Sequence, residues 1–307
     1  MIVEGNFADL LEPGLRRVFD TVAGRPDPMR DMLYNMVDST KAEEHYTGFG
    51  SMDFVPVYTG EIKYEQFDQY YKTTIVNQTL VRGIQVERTL LEDDQYNEIR
   101  ARVTRVGDVF PSTKEHDAAQ TFINAFTDSG TNRLGLSVAG ADAVGLVSTA
   151  HPYSSLRAGS TQSNEGTLAL NKTNFETTRQ LMKNLTDDRG NLMNVMPNAI
   201  LVPTELATTA YQIVSQRALM EPGSAEFNAN PHAGRFELIE WNRLTDANAW
   251  FLLDTNLMKQ HLIWQDRVQP TFEQAPNSNT EVALFHGRMR YSTGWSHWSF
   301  VYGQNPS

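Results

Sequence analysis

ERTLLEDDQYNEIRARVTRVGDVFPSTKEHDAAQTFINAFTDS, residues 87–129, is the stretch that decides the architecture. It reads as a helical spine in two segments. Thr89 and Glu92 stand at capping-box spacing, where a hydroxyl and a carboxylate satisfy the orphan N–H groups of a first turn. Glu92, Asp93 and Asp94 set negative charge at the positive end of the helix dipole, and Arg100, Arg102 and Arg105 set positive charge at the other. Tyr96, Ile99, Val103 and Val106 recur at spacings of three and four, which makes one apolar stripe. Gly107 closes that segment in this reading. Ser112 and Glu115 form a second capping box, opening a helix with the stripe Ala119, Phe122, Ile123 and Phe126, and Gly130 stops it. A helix with one apolar face needs a surface to cover it. The flanking sequence must supply that surface.

Upstream, residues 1–45 carry a short amphipathic stretch, Phe7, Leu10, Leu11, Leu15, Val18 and Phe19, interrupted by Pro13 and Gly14. This reads as an arm of short helices seeking a surface. From Gly48 to Ile84 the period changes. Phe54 to Tyr58, a turn at Thr59-Gly60, Glu61 to Tyr64 and the Thr/Val/Ile/Tyr-rich run from Tyr70 to Ile84 are strand signals. They make a long ribbon with too little apolar surface to stand alone. Either it packs on its own domain, or it reaches onto another subunit.

Downstream of Gly130 short strands and helices alternate. Thr173 and Glu176 open a helix with the face Phe175, Thr178, Met182 and Leu185. Ile200 to Val202 is a short buried strand, and Pro203-Thr204-Glu205 begins a helix through Ser215. Ala218 to Gly234 reads as a polar loop, and Phe236 to Trp241 and Ala249 to Leu253 as strands. From Met258 to Gly303 the chain is strand-like again; Trp295 and Trp298, an odd number apart, would face opposite sides of a strand.

At 307 residues and 40% hydrophobic content the chain can bury a sizeable core. Its net charge of -11, with no basic run, argues against sequence-reading of nucleic acid by a basic face. Cysteine is absent, which removes disulfides, thiol nucleophiles and thiolate zinc sites and suits a reducing cytoplasm. Met1 to Phe7 lacks the apolar core of a secretory signal, and no apolar run reaches the length of a membrane span. These features describe a soluble protein that is intracellular when made.

The search for chemistry returns little. His45, His116, His151, His232, His261, His286 and His297 are dispersed, with no pair at a helical metal spacing. His151-Pro152 could place a general base in a loop, though a turn beside proline explains it as well. Glu92-Asp93-Asp94 is accounted for by the helix dipole. Asp187-Asp188-Arg189-Gly190-Asn191 starts like a calcium loop but lacks the ligand register and closing Glu, so a helix-ending turn is the simpler reading. Lys63 and Lys72 could cross-link to an Asn elsewhere, but surface solubility explains them more simply. There is no phosphate loop, nucleotide fingerprint or nucleophile elbow. No catalytic, cofactor-binding or metal residue is assigned, and the expectation is a protein that is not an enzyme.

The order of elements carries more than any motif. Arm, ribbon, spine helix, mixed α/β part and returning strands resemble the Hong Kong 97 fold of tailed-bacteriophage major capsid proteins. Several phrases resemble the Mu-like major head subunit family: Glu87 to Asp94, Leu146-Val147-Ser148-Thr149-Ala150-His151-Pro152, and Asp188-Arg189-Gly190 followed by Met196-Pro197 and Leu201-Val202-Pro203. Asn230 to Arg235 running into Trp250 to Asp254, and Gly287 to Tyr291 with Gly294-Trp295 and Trp298, are similar too.

The resemblance implies an α+β capsid fold with an N-terminal arm at 1–47 and an extended β-ribbon loop at 48–86. A peripheral domain with the spine helix would span 87–130 and 256–307, and an axial domain 131–255. It implies a structural shell subunit, without cofactor, that self-assembles as hexamers and pentamers into the icosahedral head of a tailed phage. The head would enclose double-stranded DNA without sequence-specific binding. Separate scaffolding, portal and decoration proteins would be its partners, with no membrane. It would be found in the virion after assembly in the host bacterial cytoplasm. The start at Met1, about fifty residues before the ribbon, resembles members that rely on a separate scaffold. Two alternatives stand beside this: an encapsulin-type nanocompartment shell that packages enzyme cargo, and an enzyme whose site is assembled from distant residues.

Overall fold

The computed structural model describes residues 7–26, 28–52, 54–62, 64, 69–87, 89, 90, 93, 96–153, 161–220, 227–275 and 282–306. In chain order, helices α1 (Phe7–Ala23) and α2 (Pro28–Leu33) precede β1 (Asn35–Asp38), β2 (Glu43–Phe49), β3 (Gln69–Val76) and β4 (Gln78–Glu87). The spine helix α3 (Tyr96–Ile123) follows, then β5 (His151–Pro152), β6 (Thr161–Gln162), β7 (Glu165–Gly166) and α4 (Lys172–Lys183). Next come β8 (Ala199–Val202), α5 (Ala207–Val214), β9 (Ala218–Met220), β10 (Phe227–Ala229), β11 (Glu237–Glu240) and β12 (Trp250–Leu253). Helix α6 (Thr255–His261) leads into β13 (Leu262–Ala275), β14 (Val282–Trp295) and β15 (Val301–Gln304).

Two sheets organise the core. One has the order β1-β13-β14-β4, the other β11-β8-β12-β15-β7, while β2 and β3 pair only with each other. Along β14 burial alternates residue by residue up to Tyr291, the period of a strand with one covered face. That face meets the helices. Phe19 of α1 lies edge-on to Phe110 of α3 at 5.1 Å, and Phe272 of β13 stacks on Phe285 of β14 at 5.6 Å. The spine then reaches the second sheet: Phe122 and Phe126 each stand 5.5 Å from Phe251 of β12. One helix therefore bridges both sheets, and burial of side chains this large stabilises by about 1.5–3 kcal/mol each.

The spine is one helix, not two. It runs through Gly107 and Pro111, and Arg100, Arg102 and Arg105 fall in its early turns rather than at a C-terminus. Gly107 is a crossing point: a Cβ there would stand 3.1 Å from Val22 Cβ of α1. Ser112 and Glu115 are mid-helix and do not cap it. The Glu115 carboxylate instead accepts from the Met29 and Arg30 N–H groups (3.1 and 3.3 Å), capping the first turn of α2. Of the first capping box, Glu92 lies outside the described residues; Thr89 O accepts from Asp93 N–H at 2.9 Å.

The N-terminal segment also closes more core than its sequence promises. Helix α1 continues through Pro13 and Gly14, and Leu15 and Phe19 are fully buried. Gly14 admits Tyr96 so closely that a Cβ would stand 2.9 Å from its hydroxyl oxygen. β1 then pairs in parallel with β13.

Other boundaries differ for local reasons. Asn171, not Thr173, caps α4, accepting from Asn174 N–H at 2.9 Å, while Glu176 binds Arg179. The polar loop at 218–234 includes the short hairpin β9–β10. Met258 is in α6, and β14 ends at Trp295, so Trp298 sits in a turn and both tryptophans are buried.

Candidate assembly surface

The described part of the ribbon is built from β2 and β3, antiparallel from Glu43↔Val76 to Phe49↔Gln69, with an irregularity after Thr47. The run from Tyr70 to Ile84 breaks at buried Asn77, which sends β3 into the ribbon and β4 into the first sheet. The Asn77 amide donates to Ser39 Oγ (2.8 Å) and Lys41 O (3.0 Å), and its backbone N–H donates to Ala42 O (2.9 Å). Ile75 is buried against Gly294, and Gln265 Nε2 donates to the Tyr46 hydroxyl at 2.8 Å. The base of the ribbon is therefore fixed to the first sheet.

A second anchor comes from the turn after α4. Arg189 Nε donates to Ser51 O at 2.7 Å, and Asp188 Oδ1 accepts from Ser51 N–H at 3.2 Å. Asp187 Oδ1 is occupied by the N–H groups of Arg189 and Asn191, an Asx turn with Gly190 at φ +84°. The motif that starts like a calcium loop is thus a clasp on the ribbon.

Beyond Ser51 the described residues up to Tyr64 are exposed. Phe54 to Tyr58 form no strand. Phe54 is 81% exposed, Val55 95%, Val57 89% and Tyr64 90%, values an isolated subunit has no reason to maintain. Gly60 takes φ +102°, a turn conformation that glycine adopts without penalty. Lys63 lies outside the described residues. Lys72 is exposed on β3 and lines a cavity with Asn124 and Asn132.

Among the histidines, the fold stacks His151 and His297 on Trp298 and sets His261 against His297, a grouping with no local signal in the sequence. His151 is wholly buried, with Nδ1 2.8 Å from Asp142 Oδ2, so no substrate can reach it. His116, His232 and His286 stand instead beside Asp117, Glu176 and Glu273. Among the described residues, no three His, Asp or Glu side chains come close enough to share a metal ion. Of the acidic triplet only Asp93 is described.

The profile of a family described as phage capsid protein matches residues 71–303. The chain belongs to that family. It also has the expected capsid fold, shared with solved capsids at low identity. The capsid of an empty GTA particle is 12% identical over 92% of this chain and 91% of that one, with a TM-score of 0.56. The bacteriophage JBD30 capsid is 15% identical over 74% and 93%, with a TM-score of 0.54. The capsid of cyanophage P-SCSP1u is 10% identical over 90% and 87%, also at 0.54. No curated protein matches the chain. The finer Mu-like likeness rests on the sequence phrases alone. This capsid protein is a structural subunit of a bacteriophage head shell, and the nanocompartment alternative is not favoured.

Proposed function

We propose that the subunit assembles as hexamers and pentamers into an icosahedral head around double-stranded DNA, with its ribbon laid across the neighbouring subunit. The observation that supports this most is the clasped ribbon with an exposed apolar tip. Its base is fixed by Asn77, Ile75 and Arg189, so Phe54, Val55, Val57 and Tyr64 are held out where only another chain can cover them. In this reading 1–47 is the arm, 48–86 the extended loop, 87–130 with 256–307 the peripheral domain and 131–255 the axial domain. Strands cross these boundaries: β1 and β4 join the peripheral sheet and β15 the axial one.

Separate scaffolding and portal proteins complete the assembly in the host cytoplasm. A decoration protein fits as well, since the related JBD30 capsid is decorated with minor capsid protein trimers (15% identity, 70% of this chain and 90% of that one, TM-score 0.52). DNA is enclosed without sequence-specific contact, because a net charge of -11 opposes phosphate binding. Negative-stain microscopy of the purified protein tests the proposal: shells, tubes or capsomer rings are expected, and monodisperse monomers under all conditions would overturn it.

A further inference from the structure

Among the described residues, the first sheet is covered by helices on one face. Ala283, Phe285, Gly287 and Met289 of β14 are buried on that side, so the residues between them, and Arg290 after them, point to the other. On this second face Arg290 is paired with Thr79 of β4 and Arg288 with Val81. Thr79 and Val81 are exposed, Val81 at 56%. The ribbon root covers the end of the face near Gly294, where Ile75 packs. Arg288 and Arg290 are both half-buried, and the Arg290 Nε is withdrawn from water with no acceptor. Among the described residues no carboxylate pairs with either guanidinium. The carboxylates of the same face lie further along it: Glu273 stands 3.7 Å from His286, and Glu87 is paired with Val282. Arg267, in the bulge of β13 before Val268, adds a third cation nearby, its Nη1 donating to Ser39 O at 3.3 Å.

The ribbon is opposite in charge. Residues 50–69 carry Asp53, Glu61, Glu65 and Asp68 against one cation, Lys63. The described part of the tip also exposes the rings of Phe54, Tyr58 and Tyr64. We propose that the open face around Arg288 and Arg290 receives the ribbon tip of a second copy, with the guanidinium groups held between the ribbon's carboxylates and its aromatic rings. The inference rests on the reading that the ribbon crosses to a neighbour, and it names the surface that receives it.

A planar guanidinium forks a carboxylate and lies flat on an aromatic face, so arginines suit a segment that offers both groups. Val81 gives Val55 and Val57 an apolar surface to cover. Within one subunit the tip does not cover this face, because Val57, Tyr64 and Val81 all stay exposed. Extended, the chain from Ser51 to the Gly60 turn spans up to about 30 Å, roughly the diameter of a small domain, so the tip can reach a neighbour's sheet. DNA phosphates would also pair with arginine, but they would leave the apolar side chains of both the tip and the face uncovered. The ribbon meets both needs.

Assembly of full-length variants tests this. Arg288→Glu with Arg290→Glu should leave circular dichroism near native but cut the yield of shells in electron microscopy about tenfold or more, and so should Glu61→Lys with Glu65→Lys. Combining the four changes should restore shells at least in part. Parent-level shells from the arginine variant, or losses that the combination does not relieve, would overturn the proposal and leave the ribbon reading intact. A parent that builds no shells fails that reading itself. In that event, or should charge reversal prevent folding, binding decides: a labelled peptide of residues 50–69 is titrated into the full-length subunit and into Arg288→Gln with Arg290→Gln. Binding about tenfold tighter to the unaltered subunit supports the proposal. Equal binding to both, or tighter binding of duplex DNA than of the peptide at the same arginines, contradicts it.

Discussion

Arg189 Nε donates to the carbonyl oxygen of Ser51 at 2.7 Å, joining the turn after α4 to the root of the ribbon loop across 138 positions of sequence. Arg189→Ala removes one charge-assisted hydrogen bond, about 1.5–3 kcal/mol of local anchoring at most. Circular dichroism should stay near native while limited proteolysis of the 50–64 loop accelerates. Unchanged cleavage rates would mean that the clasp does not hold the loop.

Inside the first sheet, the Tyr291 hydroxyl donates to Asp117 Oδ2 at 2.5 Å, and Arg133 Nε donates to the other oxygen at 2.7 Å. Asp117 is 1% exposed, so its charge depends on these donors. Tyr291→Phe keeps the stacking on Trp264 but should cost about 1.5–3 kcal/mol, read as a lower urea midpoint with an unchanged slope. A midpoint equal to the parent's would place the support of Asp117 on its other neighbours, Arg133 and His116.

How much of this was legible depends on whether a signal was local. The stripes of the spine and the strand Ile200 to Val202 were readable because period and burial coincide there. Gly107 and Ser112 misled, since a glycine needed for close helix crossing looks the same in sequence as one that ends a helix. Glu115 caps a helix some eighty-five positions away, a partner that no local window contains. The ribbon was legible as extended chain, but its break at Asn77 and its clasp at Asp188 and Arg189 depend on tertiary hydrogen bonds. Trp295 and Trp298 misled in the same way, because the strand ends between them. With both buried, either Trp→Ala change should cost about 3–5 kcal/mol and reduce soluble yield. Loss from one alone would restore the two-faced strand.

Two glycines packed on helices should respond differently to alanine. At Gly287 a Cβ would stand 2.6 Å from the Phe110 ring and 2.8 Å from that of Phe19. Gly287→Ala should therefore cost about 1–3 kcal/mol through overpacking. At Gly107 the nearest contact is 3.1 Å, and alanine gains about 1 kcal/mol in helix propensity. Gly107→Ala should be close to neutral in the melting temperature. The reverse order would mean that the spine crossing, not the sheet face, is the tighter packing site.

The most direct test of the account shortens the ribbon tip. Replacing residues 54–64 with a short Gly-Ser linker removes the exposed Phe54, Val55, Val57, Tyr58, Ile62 and Tyr64 but leaves β2, β3 and the Ser51 clasp in place. Electron microscopy of the assembly products then reads the outcome. The account predicts a folded subunit, with near-native circular dichroism and thermal midpoint, that no longer builds closed shells. Shells of normal size and stability from the shortened protein would contradict it.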